Sequence, residues 1–153
     1  MSARPGRGDY VHWRTITTRW RDDDAYGHLN NATYYELFDT AVNAYLYEAT
    51  GLDIRRLPQI GVVAETGCRY FRELGFPAPI EAGLVVDKVG RSSVVYRIGL
   101  FQGDGDEAAA EGRFVHVYVD DTDPARPVTA MPDVVRDVVS RLLRPGGAGN
   151  GVG

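Results

Sequence analysis

The pattern of apolar positions predicts one long helix in the first third of the chain. Between residues 32 and 49, apolar side chains recur at helical spacing, in a stripe too wide for one ordinary packing face. The stripe consists of Tyr34, Leu37, Phe38, Ala41, Val42, Tyr45, Leu46 and Ala49. Asn30 or Asn31 is a suitable N-cap, and Gly51 fits the position after the last turn, where a left-handed backbone is favoured. We therefore expect a helix that the rest of the chain wraps.

Four runs with strand character follow this helix, each bounded by Gly, Pro or acidic turns. They cover residues 62–72, 80–89, 94–102 and 108–120. Residues 90–92 and 102–106 indicate hairpin turns, so an antiparallel meander is expected. Residues 10–20 also have strand character, and a short amphipathic helix is expected with Pro132 in its first turn. A curved antiparallel sheet of about five strands around one long helix, with a short C-terminal helix, is the α+β arrangement called the hotdog fold.

Composition fits one globular domain with a real core. The chain has 153 residues, of which 44% are hydrophobic and 25% charged. The Gly-rich ends, residues 1–9 and 145–153, are expected to be disordered tails outside a single domain of residues 10–144. A net charge of −4 and scattered arginines argue against a nucleic-acid surface.

Cysteine usage and hydropathy predict a cytoplasmic protein. The single Cys68 excludes an internal disulfide and an all-cysteine metal site. The N-terminus has no apolar leader, and no run approaches the 18 apolar residues that a membrane span needs. No membrane contact is therefore expected.

The segment from Arg19 to Asp39 carries the candidate chemistry. It sets three acids, one His and an Asn pair directly ahead of the predicted helix. The unpaired N–H groups at a helix start attract negative charge, and one such donor aimed at a developing oxyanion is worth roughly 3 to 4 kcal/mol of barrier. A carboxylate held beside that helix start can attack a carbonyl or take a proton from water. The segment therefore indicates chemistry on an acyl group.

The same segment resembles the 4-hydroxybenzoyl-CoA thioesterase-like family of hotdog acyl-CoA thioesterases. The residues that carry the resemblance are Asp22-Asp23-Asp24, Ala25-Tyr26, Gly27-His28-Leu29-Asn30-Asn31, Ala32-Thr33 and Tyr34-Tyr35. The resemblance implies that the enzyme hydrolyses a thioester to a free acid and CoA, with Asp24 as nucleophile or general base. It also implies that the backbone N–H near Asn31 polarises the carbonyl, while His28 and Asn30 shape the pocket. Asp23 departs from the family pattern because the variable middle position here holds a third acid. Neighbouring carboxylates can titrate as a coupled set.

The resemblance also implies how substrate and partner bind. In related thioesterases the loop equivalent to Arg91, Ser92 and Ser93 touches the CoA phosphates, so these three residues are candidate CoA ligands. Arg72 and Arg69 are further candidates for CoA. A partner subunit is expected to bring Glu65 opposite the catalytic acid, since hotdog chains usually pair edge to edge into a homodimer or a homotetramer. Tyr34 and other apolar residues of the central helix are expected to line a pocket for a fatty or aromatic acyl group.

Several residues also have a purely structural interpretation. Asp22 suits a turn with a local hydrogen bond, and His12 and His116 suit satisfied core or surface positions on strands. Cys68 suits a buried small apolar position.

Two other functions stay open. A hotdog hydratase would use Asp23 and His28, and a non-catalytic acyl-binding protein would keep the motif without turnover. The acyl carrier is CoA or acyl carrier protein, and the acidic charge of the chain favours CoA. Gly-x-Ser-x-Gly, Walker A and His-Glu-x-x-His motifs do not occur in the sequence, so we expect neither an α/β-hydrolase nor a bound cofactor or metal.

Overall fold

The computed structural model describes residues 4–144, which contain five strands and two α-helices. In chain order they are β1 (His12–Ile16), α1 (Asn31–Thr50), β2 (Gln59–Tyr70), β3 (Ile80–Val89), β4 (Ser93–Phe101), β5 (Ala110–Asp120) and α2 (Asp133–Ser140). One 3-10 turn precedes them, at Arg7–Asp9, and two lie between them, at Trp20–Asp22 and Ile54–Arg56.

The five strands form one antiparallel sheet in the order β1-β3-β4-β5-β2, with α1 against its inner face. The meander predicted from the turns holds for β3, β4 and β5, which pair consecutively. β2 does not continue this meander, because it pairs with β5 along the far edge of the sheet. The arrangement is the hotdog fold expected from the helix length and strand count.

The ends of α1 form as the sequence predicts, and the structure decides between the two Asn caps. Asn30 is the N-cap, and its side-chain oxygen accepts a hydrogen bond from the Ala32 N–H at 2.9 Å. Gly51 takes the left-handed conformation with φ 70°. Eight α1 side chains are buried, including all of the predicted stripe except Ala49, which is partly buried. The Tyr45 hydroxyl donates to the Val138 carbonyl at 2.5 Å, which ties α1 to α2.

β1 is shorter than its sequence pattern predicts. Its last pair joins Ile16 to Ile80, and the partner residues beyond Ile80 would include Pro79 and Pro77. Proline has no N–H to donate to a strand pair, so the ladder stops there. The chain then turns, and Trp20 lies in a 3-10 turn rather than at a strand end.

Two glycines allow other groups to lie unusually close to strands. A Cβ on Gly112 would be 2.5 Å from the Phe38 ring of α1, and a Cβ on Gly61 would be 3.1 Å from both His116 and Tyr118. Gly61 sits inside β2, which begins three residues before its predicted start at residue 62. A glycine that suggests a strand break in the sequence is therefore a point of close approach in the structure.

Residues 5–7, which composition assigns to a disordered tail, are hydrogen-bonded to distant parts of the chain. The Arg7 guanidinium donates to the carbonyls of Gly103 and Gly105 at 2.8 and 2.9 Å, and it pairs with Glu81 at 2.9 Å. The Pro5 carbonyl also accepts from the Ala108 N–H at 2.8 Å. These long-range bonds attach residues 5–7 to the β4–β5 turn, which local composition does not reveal. Residues 1–3 and 145–153 lie outside the described residues.

Candidate active site

The turn before α1 is fixed by Asp22, which is 5% exposed. Its carboxylate accepts hydrogen bonds from the Arg19 backbone and guanidinium at 2.8 to 3.1 Å, and its carbonyl accepts from the Asn30 N–H at 2.7 Å. Burial raises the pKa of Asp22, but the hydrogen bonds from Arg19 outweigh burial and leave that pKa below its ordinary value. Asp22 therefore holds the loop in place, in agreement with its structural interpretation.

Asp24 presents one free carboxylate oxygen. Its Oδ1 accepts from the backbone N–H groups of Tyr26 at 2.8 Å and His28 at 3.2 Å, which closes a tight turn around the left-handed Gly27. Among residues 4–144, no donor forms a hydrogen bond with Oδ2. The carboxylate is therefore held in one orientation while one oxygen stays available for chemistry.

Asp23 has a different role in the same loop. Both of its carboxylate oxygens lie within reach of the Phe76 N–H, at 3.1 and 3.3 Å. This bond joins the acidic turn to the segment between β2 and β3. Asp23 is thus engaged with the backbone of Phe76.

The helix start beside this loop offers a free N–H. The Ala32 N–H is bonded to the Asn30 side chain, and the Thr33 N–H is bonded to the Asn30 carbonyl at 2.9 Å. The described residues give the Asn31 N–H no acceptor. A donor at the positive end of a 20-residue helix is therefore available to an external oxygen.

Asp24 and Asn31 line one cleft of about 410 Å³. Its other lining residues are His28, Leu29, Tyr34, Tyr70, Phe71, Arg72 and Glu73. The Tyr70 hydroxyl donates to the Asn31 side-chain oxygen. The His28 Nε2 lies 3.0 Å from a carboxylate oxygen of Glu73. The structure thus brings together four catalytic candidates of the sequence analysis, three as cleft-lining residues and Asn30 as the helix cap.

Two tyrosines, Tyr34 near the start of α1 and Tyr70 at the end of β2, form an aromatic wall of this cleft. The Tyr34 and Tyr70 rings meet edge to face with their centroids 5.0 Å apart. Burial raises the pKa of both hydroxyls, so these groups stay protonated at neutral pH. Of the apolar α1 residues expected to line an acyl pocket, Tyr34 alone does so here, because the others pack in the core against the sheet.

A second cleft, of about 480 Å³, lies on the other side of the acidic loop. It is lined by Trp20, Asp23, Asp24, Ala25, Gly27 and Phe76. The Trp20 ring is 82% exposed and meets the Phe76 ring edge to face, with centroids 5.9 Å apart. Asp24 therefore lines both clefts, each of which has aromatic side chains in its wall.

The CoA candidates fall into two groups in a single chain. Arg72 lines the first cleft and lies next to the β4–β5 turn, where its guanidinium is 3.4 Å from the Gln102 carbonyl. Arg91 and Ser92 lie in the β3–β4 turn and Ser93 begins β4, at the opposite end of that strand. Nine strand residues span about 30 Å, so this turn does not reach the cleft of its own chain.

Glu65 is also remote from the cleft within one chain. It lies on the edge strand β2 beside a bulge and forms an ion pair with Arg113. Arg69 lies on the same strand, and its guanidinium packs over the Phe71 ring at 5.2 Å. Neither Glu65 nor Arg69 lines the cleft that contains Asp24.

The remaining candidates of the sequence analysis lie in or near the core. The His12 ring packs edge to face on Tyr45, and burial lowers the pKa of His12. Cys68 is a free, partly buried thiol, and burial raises its pKa to about 11. His116 is buried, but its Nδ1 has no hydrogen-bond partner among residues 4–144, contrary to the expected satisfied position.

Two surveys of residues 4–144 give negative results. No group of three or more His, Cys, Asp or Glu side chains there is arranged to hold a metal ion. Neither helix in that range has the length and apolar character needed to cross a lipid bilayer.

Tyr70, Phe71 and Glu73 are site residues that the sequence analysis missed. Tyr70 ends β2, and Phe71 and Glu73 follow it. Only the pairing of β2 with β5 brings these residues to the start of α1. No local motif marks them. The strand-end aromatic pair Tyr70-Phe71 is the one signal that the sequence offers, and it is equally typical of core strands.

Comparisons with known proteins agree with this fold. Residues 18–139 match the model of the thioesterase-like superfamily. PA5185 of Pseudomonas aeruginosa strain PAO1 is similar in structure, with 49% identity and a TM-score of 0.86 over 93% of this chain and 98% of that one. PA2801 of Pseudomonas aeruginosa, a protein assigned as a thioesterase, has 28% identity and a TM-score of 0.76 over 85% of this chain and 98% of its own.

A more distant relative shares the fold alone. SAV2348 of Staphylococcus aureus, whose structure was determined in complex with CoA, has 18% identity and a TM-score of 0.76 over 93% of this chain and 87% of its own. No curated protein matches the sequence. With four fifths of its length matched by the family model, the chain belongs to the thioesterase-like superfamily and is a thioesterase.

Proposed function

We propose that this thioesterase hydrolyses acyl-CoA thioesters at Asp24. The observation that carries the proposal is that a carboxylate with one free oxygen and the unbonded N–H of Asn31 line the same cleft. Hydrolysis needs both groups, one to deliver the attack and one to stabilise the charge on the carbonyl oxygen. The family match supports the reaction class, and the roles of the two residues are our inference.

In the proposed reaction the thioester carbonyl oxygen lies against the Asn31 N–H. The Asp24 Oδ2 either takes a proton from an attacking water or attacks the carbonyl carbon itself, which gives a mixed anhydride that water then opens. In both routes the C–S bond breaks, the CoA sulfur leaves as a thiol after gaining a proton, and the acyl group leaves as a carboxylate. His28, paired with Glu73, lies at the edge of this cleft and can orient the carbonyl or the water.

The two clefts beside Asp24 suggest how a thioester binds. The cleft that Asp24 shares with Asn31 contains Arg72, which suits the negatively charged CoA. The cleft with Trp20 and Phe76 offers aromatic surface, which suits a fatty or aromatic acyl group. The CoA complex of the distantly related SAV2348 is consistent with CoA as the carrier.

We further propose that the enzyme acts as a homodimer, or as a homotetramer of two dimers. β2 is the long edge strand of the sheet, and a second copy paired along it would bring its own residues toward the first active site. Glu65 and the Arg91–Ser93 turn, which do not reach the cleft of their own chain, would then serve the neighbouring one. A cytoplasmic location, consistent with the free thiol of Cys68, is part of the same proposal.

Thiol release from a panel of short, medium, long and aromatic acyl-CoAs tests the activity, with Asp24→Asn alongside the wild type. We expect release by the wild type and a loss in kcat of at least about 100-fold in Asp24→Asn. Asp23→Asn is the matched control, since its side chain can still accept from the Phe76 N–H, and it should keep kcat within about threefold. No release across the panel, or an inactive Asp23→Asn beside an active Asp24→Asn, would refute the proposal.

A hydratase that uses Asp23 and His28 has less support. The Asp23 carboxylate is engaged by the Phe76 N–H, and Asp23 lines the cleft with Trp20, whereas His28 lines the cleft with Asn31. The same acyl-CoA panel distinguishes a non-catalytic binding protein, which would bind these esters without releasing thiol.

A further inference from the structure

A separate cavity lies under the C-terminal half of α1, away from the candidate active site. Its volume is about 170 Å³. It is lined by Asn43, Leu46, Ile54, Arg55, Leu57, Ile60, Gly61, His116, Tyr118 and Val135. Asn43 lies twelve residues along α1 from Asn31, which is about 18 Å at the rise of an α-helix. None of these residues lines either cleft beside Asp24.

The cavity combines apolar walls with two polar rings on one side. Leu46 and Val135 are at most 1% exposed and form part of its apolar surface. The rings of His116 and Tyr118 come from alternate positions of β5 and lie against Gly61 of β2, whose missing side chain makes room for them. An apolar pocket with a few convergent polar groups is the usual form of a small-molecule site.

His116 supplies an unmatched hydrogen-bonding atom to this wall. The residue is 3% exposed, and its Nδ1 finds no partner among residues 4–144. Burial lowers the pKa of His116 to about 4 and raises that of Tyr118 to about 12, so both rings are neutral at pH 7. This Nδ1 is sealed from the cavity, so a ligand can bond only to the other ring nitrogen, Nε2, which is not sealed and also has no partner among residues 4–144. A ligand that bonds to Nε2 recovers free energy that the unpaired ring loses on burial.

Size and polarity together define the ligand class. A dry cavity of about 150 Å³ in another protein binds benzene, so this one has room for a single ring with a small substituent. A hydroxyl both donates and accepts, so it can bond to a neutral imidazole nitrogen in either tautomer. A rigid ring also loses less conformational entropy on binding than a flexible chain of the same size.

We propose that this cavity is a binding site for a small phenol, with the ring against Leu46 and Val135 and the hydroxyl bonded to His116. The site is distinct from the catalytic cleft, so its occupant is a free molecule rather than the acyl group being hydrolysed. The exposed side of the cavity is bordered by Asn43 and Arg55, which gives the ligand a path from solvent.

NMR titration of the ¹⁵N-labelled protein with 4-methylphenol and with toluene tests the proposal. The two ligands differ by one hydroxyl, so we expect 4-methylphenol to bind at least about tenfold more tightly. In His116→Phe, which keeps a ring of similar size, the two ligands should bind within about twofold of each other. Equal affinities for the wild type, or no binding of 4-methylphenol, would overturn the proposal.

Two further variants locate the binding site. Ile54→Trp fills the cavity and should lower the affinity for 4-methylphenol at least tenfold. Leu52→Trp places the same ring on an exposed neighbour that does not line the cavity, and it should leave binding unchanged. Binding that survives Ile54→Trp would place the ligand elsewhere and refute the assignment, provided that thermal unfolding shows both variants to be folded.

A competition experiment separates this site from the active site. S-octyl coenzyme A is a thioether that cannot be hydrolysed as a thioester can, and it should leave bound 4-methylphenol in place. If it displaces 4-methylphenol, the cavity is a continuation of the acyl site and the proposal of a distinct site is wrong. This outcome does not depend on whether Asp24 is the catalytic group, because it measures binding alone.

Discussion

Gly112→Ala should destabilise the fold through a single contact between β5 and α1. The new Cβ would lie 2.5 to 2.7 Å from three atoms of the Phe38 ring, whereas ordinary carbon contacts are about 3.5 to 4.0 Å. The ring would have to move by about 1 Å, and Phe38 is fully buried. Overpacking of this kind costs about 1 to 3 kcal/mol, and the clash with a rigid ring favours the upper half of that range. Urea unfolding should therefore show a loss of about 2 to 3 kcal/mol.

A double-mutant cycle with Phe38→Leu tests the cause. Phe38→Leu alone should lower the free energy of unfolding by about 1 to 2 kcal/mol, because it leaves a cavity. The double mutant should resemble Phe38→Leu alone, since the alanine methyl occupies space that the ring has left, which gives a coupling of at least about 1.5 kcal/mol. Gly67→Ala on β2 is the control, because its Cβ would meet nothing within 4 Å. Additive effects at residues 38 and 112, or equal effects at 67 and 112, would refute the reasoning.

Three further predictions concern the helix cap, the arginines proposed to bind CoA, and a buried histidine. Asn30→Ala removes the acceptor of the Ala32 N–H and should lower the thermal midpoint by about 2 to 4 °C, equivalent to about 1 kcal/mol, in a calorimetric scan. Arg72→Ala and Arg91→Ala should each raise KM for acyl-CoA about tenfold with little change in kcat, because they remove binding that is uniform along the reaction; steady-state kinetics measures both. The unfolded chain protonates His116 near pH 6.5, but the folded chain only near pH 4. As the pH falls from 6.5 to 4, protonation therefore favours the unfolded chain, and the wild type should lose about 3 kcal/mol of unfolding free energy. His116→Phe should lack that loss in urea unfolding measured across the same pH range.

Local signals explain which parts of the fold the sequence predicts well. α1 begins and ends within one residue of its predicted limits, because an N-cap, a helical period and a C-terminal glycine all act within a few residues. β3 agrees at both ends, since Pro79 and Gly90 bound it. The position of β2 beside β5 depends instead on contacts between distant residues, and no local pattern encodes it.

The residues of the candidate site also divide into those that a local motif predicts and those that distant contacts bring in. The motif from Asp22 to Asn31 is contiguous, so its members are neighbours by virtue of the chain itself. Tyr70 and Glu73 join the cleft only through the path of β2. Arg91 and Arg72 show the converse case, because they lie near opposite ends of β4 and cannot serve one cleft in one chain. The sequence suggests a single CoA surface, whereas strand geometry separates its two halves.

The unequal edges of the sheet bear on how far copies of the chain can polymerise. β2 exposes an edge of twelve residues, whereas β1, on the other side, has five. Two copies that pair through β2 use up both long edges, because such a contact is symmetric and closes on itself. What is left at each end is the short β1 edge, whose ladder already stops at the prolines before β3. Growth by strand addition from such a dimer would therefore end at two copies, which would protect an enzyme built on an open sheet from forming fibres.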